Sequence, residues 1–496
     1  MRFLILGALS IALFFAVRSH GETIFERAEK AIGVLEANSH EVREGGFSVI
    51  GNEDCAGLIK VFGNCFGNNP AAPYLVPLIP RHPKEYIDPF YHTELFLGET
   101  QNKSMSYRLR EDEAIVTIGI TPPKAAYFGA QTYNFTRAGN TISVPTIDGL
   151  NTLFTGSPNP DRYISFSSLG NAFNNYILAK KTGAASGFGQ NFVLITTPSP
   201  DTEAAVRAAL SDAGIPVNRI FTEAIPSEMK LGLSSSSDDF SMLIRYAVPE
   251  SKSQADAWRA DPSLRVYRIS KKTIGTTRRF GPIALDTRAA DSERGLGLAL
   301  DDFTREVAVR LGQRRLINVK EFVAPSFLVG QNCLKLHMNC LGDTQDTDTY
   351  RTASVSSFGD SDVVVITGIN HTVTGNAQYI SLGFSISESF AGIASDSQTA
   401  ASVGFMSGEL TGSAEAFLKK VGGGVPLRLR SAAPKFYVRL AARHCDGLPF
   451  CTPITDAQLP LNQDLTVLRR AYIRPGTVRG PDPAQLLSPR YFMYQR

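Results

Sequence analysis

His371 is the residue around which this sequence could do acid–base chemistry. It follows the β-branched run Val363–Ile366 through a Gly-Ile turn, which places it at a strand end, where rigid scaffolds present functional groups. An imidazole titrates near neutrality and acts as a general base when a carboxylate orients it. Asp343 and Asp346 are the candidate carboxylates, with Arg108 or Arg351 to bind an anionic or carbonyl oxygen of a substrate. Such a set suits a hydrolase or a lyase. The competing reading is a surface histidine inside the Asn370-His371-Thr372 sequon, since a glycan would sit badly beside a buried active site.

Asp343, Asp346 and Asp348 also have spacing suited to an oxygen-rich loop, which makes calcium the candidate cofactor. The glycine and closing glutamate of an EF-hand are missing, so a solvated acidic turn competes. Strand alternation puts Tyr127 and Tyr133 on one face and Phe128 on the other. The two tyrosines could line a sugar or lipid pocket, or fill a core. There is no GxSxG elbow, HExxH helix or phosphate-cradling loop.

The elements that must position these groups occur twice. NCFGNNPAAPY (64–74) is echoed by NCLGDTQDTDTY (339–350), and SYRLREDEAIVTIGITPPKAAYFGAQTY (106–133) by TYRTASVSSFGDSDVVVITGINHTVTGNAQY (349–379). A duplicated body has a seam, and seams form pockets. The Tyr-Arg pair, the strand ending in Pro-Pro, AAYFGAQTY and GFGQNFVLITTP together resemble an uncharacterised, mostly bacterial exported family with a tandem β-rich domain. The resemblance covers Tyr107–Pro198 and implies no activity.

The sequence sets the address more firmly. Arg2 precedes an apolar run from Phe3 to Val17, a secretory leader too short to span a membrane, with cleavage expected after Gly21. The expected location is secreted or extracellular, without stable membrane insertion once the leader is removed. Six cysteines fall as close pairs, Cys55 and Cys65, Cys333 and Cys340, Cys445 and Cys451, which favours three local disulfides among the possible connectivities. Asn102, Asn134 and Asn370 head glycosylation sequons. A net charge of +3 with 20% charged residues gives no reason to expect a nucleic-acid partner.

The expected fold is a disulfide-pinned α+β protein, two related β-rich units from an internal duplication joined by a mixed α/β segment. Residues 1–21 form the leader, 22–44 an N-terminal helix region, and 45–234 the first unit, with a strand–helix–strand element near 192–221. Residues 235–325 form the connector, 326–464 the second unit, and 465–496 an extended tail. The stretch Leu75–Glu99 reads as a loop able to cover a cleft. The expected function is recognition or turnover of an extracellular small molecule or glycan at the seam. The enzymatic form is a hydrolase using a His/Asp pair; the alternative is a non-catalytic ligand- or carbohydrate-binding protein.

Overall fold

The computed structural model describes residues 22–140 and 159–495, apart from residues 274, 276, 313–316, 320, 324–333, 336, 338, 341, 343, 344, 349, 350 and 400–409. The leader, Cys333 and Asp343 therefore lie outside the described residues. The first helix spans Ile24–Ala37. Thr23 and Glu26 close a capping box, each side chain accepting from the other's backbone amide, which satisfies donors that a helix start leaves open. Its stripe Ile24, Ala28, Ala31 and Leu35 packs with the helix Pro200–Asp212 on one sheet.

β-Branched and aromatic runs form the strands, as their packing preference dictates. The first part of the chain contributes β1 (His40–Glu44), β2 (Gly46–Ile50), β3 (Tyr74–Pro80), β4 (Lys103–Ser104), β5 (Ser106–Tyr107), β6 (Ala114–Ile120) and β7 (Ala125–Ala138). It continues with β8 (Arg162–Ser168), β9 (Phe173–Asn174), β10 (Asn191–Thr197), β11 (Ile220–Ala224), β12 (Asp239–Pro249) and β13 (Leu264–Lys271). One sheet has the order β1-β13-β6-β10-β11. The next has β2-β3-β12-β7-β8, with β4, β5 and β9 added on β3, β12 and β7. The strand–helix–strand element is present: β10 and β11 are parallel and the helix Pro200–Asp212 joins them. Ser199 caps that helix by accepting from the Thr202 amide, and Pro200 opens it.

The remaining strands are β14 (Ile317–Asn318), β15 (Glu321–Val323), β16 (Arg351–Val355), β17 (Asp362–Ile369), β18 (Tyr379–Ile386), β19 (Gly392–Thr399), β20 (Phe436–Ala442), β21 (Cys451–Pro453), β22 (Leu465–Tyr472) and β23 (Arg490–Gln495). Their sheets run β14-β23-β17-β20-β21 and β15-β16-β22-β18-β19. The structure is thus mixed α+β and mostly β, with four sheets among the described residues. In each half one sheet ends in a parallel pair, β10-β11 or β20-β21. Each half also stacks helices on one sheet and that sheet on a second. In the later half, Leu300, Phe303 and Val307 of the helix Gly297–Arg310 cover one face of β17 and β20. The other face of β17 packs against β18 and β22.

Three sequence expectations are corrected here. Residues 235–325 are not a connector, because β12 lies between β3 and β7 and β13 between β1 and β6. Residues 465–496 are not an extended tail: β22 and β23 are interior strands of the two later sheets, and β22 is buried throughout. Leu75–Pro80, taken for part of a covering loop, belongs to β3, between β2 and β12. In each case strand pairing between segments distant in sequence decides the placement, and local composition does not reveal it.

The disulfides Cys55–Cys65 and Cys445–Cys451 are formed, and Cys340 is also disulfide-bonded. Such bonds fit an oxidising compartment. Among the described residues, no helix is long and apolar enough to cross a membrane. A chain ending at Asp464 lacks β22 and β23, so its later half should lose protection while the earlier half survives. Limited proteolysis with near-ultraviolet circular dichroism checks this; a truncated chain that keeps the intact cooperative transition would return these strands to the periphery.

Candidate functional site: the seam between the halves

The halves meet through two turns that echo each other in sequence. Cys65 and Gly67 donate their amides to the carbonyls of Ser389 and Phe390, both at 2.8 Å. Cys340 and Gly342 donate theirs to Ser165 and Phe166, at 2.7 and 3.0 Å. Each half therefore gives a Cys-x-Gly turn to a Ser-Phe segment of the other. Gly67 and Gly342 have φ of +62° and +61°, and a Cβ there would come within 2.4 Å of the Phe390 ring or 2.5 Å of the Phe166 ring. Only glycine meets both demands.

Beside these turns lies an aromatic cluster. Tyr379 and Tyr472 stack at 4.3 Å, and Tyr127 of β7 stands 5.3 Å from Tyr472. Arg245 of β12 lies over the rings of Tyr74 (5.0 Å) and Tyr472 (5.5 Å) and donates to the Tyr74 hydroxyl at 3.3 Å. Arg470 of β22 donates to the Gly67 carbonyl at 2.7 Å. Burial raises the Tyr74 phenol, but the guanidiniums of Arg245 and Arg470 hold it below the usual tyrosine value. Both arginines, Tyr74 and Ser241 line a cavity of about 50 Å³ that takes walls from both halves.

Asp346 reaches across the seam. Its carboxylate accepts from the Tyr127 hydroxyl at 2.6 Å and from the Asn174 amide at 3.1 Å. Burial pushes Asp346 up to about 6 even though these donors and Arg245 favour its charge. The Tyr127 phenol is raised by burial and by that neighbouring carboxyl.

The structure does not bring His371 to Asp346. The His371 ring Nδ1 lies 2.9 Å from Glu293, and both side chains are buried. Glu293 also accepts from Thr374, Asn376 and the Leu487 amide at 2.8 to 3.0 Å. Burial raises the Glu293 carboxyl, but His371 and these donors carry it down to about 2. The pair ties the segment before Gly297 to the turn after β17, and neither residue lines the seam cavity.

The proposed calcium loop is likewise occupied. Asp348 pairs with the buried Arg469 and accepts from the Ala471 amide at 2.9 Å. Among the described residues no three His, Cys, Asp or Glu side chains are grouped to hold a metal ion. Arg351 is given to Ser488 and to the Pro483 carbonyl. Arg108 donates to the Tyr86 carbonyl and stands 3.9 Å from Asp239. Neither arginine lines the cavity. Tyr127 and Tyr133 do face away from Phe128: Tyr127 packs in the seam, Tyr133 packs 4.9 Å from Phe166, and Phe128 packs between the sheets.

Of the sequons, Asn102 is exposed. Asn134 and Asn370 are fully buried, bonded to Ser165 and to Thr411 and Thr372. The folded chain has no room for a glycan on either. The residues that sequence reading missed are Arg245, Arg470, Tyr74 and Glu293. Arginines within otherwise apolar strands, one in SMLIRYAV and two in LTVLRRAY, were the available signal, because an unpaired buried cation is costly.

No family model and no curated protein matches the sequence. Among solved structures, an uncharacterised protein from Burkholderia cenocepacia is similar over 95% of this chain and 87% of its own, at 10% identity and a TM-score of 0.35. A T=1 particle derived from infectious bursal virus covers 92% of this chain and 74% of its own, at 9% identity and a TM-score of 0.15. Neither likeness assigns a family or an activity.

The two carboxyls give opposite pH dependences. Glu293, lowered from 4.5 to about 2, adds stability that is complete above 4.5 and lost as pH falls toward 2, on the order of 3 kcal/mol. Asp346, raised from 3.8 to about 6, favours the fold when protonated, so stability declines as pH rises through that window. Urea unfolding across pH should show Asp346→Asn removing the decline and Glu293→Gln shrinking the acid-side loss. An unchanged profile in either variant would contradict its assignment.

Proposed function

We propose that this is an exported binding protein that holds a small molecule in the seam cavity, between halves related by internal duplication. The observation that carries the reading is a cavity built from both halves, with one buried arginine from each, Arg245 and Arg470. Clefts at such junctions are where ligands are commonly held. The duplication is supported by the matching strand orders and by the reciprocal Cys-x-Gly contacts. Export is supported by the leader and the disulfides. The cavity's size favours a small molecule over a glycan. We prefer binding to hydrolysis because His371 is committed to Glu293, away from the cavity.

Thermal unfolding with pooled small molecules tests this in the wild type and in Leu243→Trp, which fills the cavity from β12. A ligand should raise the wild-type Tm in proportion to the logarithm of its concentration and leave the variant unchanged. Equal stabilisation of both proteins would remove the seam as the binding site.

A further inference from the structure

The geometry points to a short-chain monocarboxylate as the ligand of the seam cavity, its carboxylate held by Arg245 and its alkyl end by the apolar wall. This rests on the binding reading above. Arg245 is only 9% exposed, and among the described residues no carboxylate stands within ion-pairing distance of it. Its contacts are the faces of Tyr74 and Tyr472 and the Tyr74 hydroxyl. Aromatic faces offset part of the cost of burying a cation. The rest calls for an anion, and the planar guanidinium fork matches a carboxylate with two parallel hydrogen bonds. Asp346, whose charge Arg245 favours without pairing with it, already accepts from Tyr127 and Asn174.

Size and wall chemistry narrow the class further. A water needs roughly 10–15 Å³ of such space, so a cavity of about 50 Å³ admits only a few heavy atoms. Ile50, Leu58, Met105, Phe135 and Phe166 form an apolar wall, which suits a methyl or ethyl group and opposes a second charge.

Protein dialysed free of carboxylate buffers is titrated with acetate, propionate and neutral acetamide by calorimetry and by NMR of the labelled methyl group. Wild type, Arg245→Met, Arg245→Lys and Leu243→Trp are compared, with folding checked by near-ultraviolet circular dichroism. Acetate or propionate should bind at one molecule per chain and acetamide should not. Arg245→Met should weaken binding about 10- to 100-fold. Arg245→Lys keeps the charge and loses the fork; it should also weaken binding and serves if the methionine variant does not fold. Acetamide binding as tightly as acetate, or binding unchanged in the folded Arg245 variants, overturns the carboxylate assignment. If Leu243→Trp abolishes that binding, the seam reading survives. Binding untouched by Leu243→Trp overturns both, and a wild type that binds neither acid overturns the assignment.

Discussion

The exchange of Cys-x-Gly turns across the seam is the constraint on which the rest depends. Each turn spends its amides on the opposite half, so neither half satisfies its own backbone at that surface without the other. Buried amides without partners are rarely tolerated, which fixes the relative placement of the halves. The disulfide Cys55–Cys65 anchors one turn to the helix Cys55–Phe62. Phe166 and Phe390 have φ of +40° and +49°, an uncommon conformation for a bulky residue. Both stand where a turn of the opposite half takes the carbonyl.

Once the turns are docked, the strands behind them have no freedom to avoid each other. β7 and β12 present Tyr127 and Arg245 to the later half, and β18 and β22 return Tyr379, Tyr472 and Arg470. Three tyrosines pack together and one guanidinium lies between ring faces. Asp346 is drawn into this apolar setting and is satisfied by two donors from the earlier half. The cavity lies beside the turns, with Cys65, Phe66 and Gly342 among its lining residues. Away from the seam, buried charge serves position: Arg268 holds Glu85 and Glu113 at 2.5 and 2.8 Å, joining β13, β6 and the segment after β3. Buried pairs of this kind are lost at considerable cost when one partner is removed.

Much of the local structure was legible. The N-terminal helix, the helical stripe Leu300, Phe303, Val307, the strand–helix–strand element around β10 and the alternation of Tyr127, Phe128 and Tyr133 follow from spacing alone. The candidate site was not. His371 was read as a base because it follows a strand, and it does follow β17. Its partner, Glu293, lies 78 residues earlier, and no local pattern announces that contact. LTVLRRAY was placed in an extended tail, yet β22 is buried and its arginines are held by Asp348 and the Gly67 carbonyl.

The sequence by itself determined the close cysteine pairs that fit an oxidising compartment, the composition of a mixed β-rich protein and the type of most elements, because these depend on neighbours within one or two turns of chain. It also carried the echo of Asn-Cys-x-Gly. Only the tertiary structure decided that the echoed turns face each other, that 235–272 and 465–495 complete sheets begun far earlier in the chain, and that the arginines of β12 and β22 meet in one cavity. Those outcomes are set by pairing and burial between distant segments, whose strength depends on what the folded chain brings alongside.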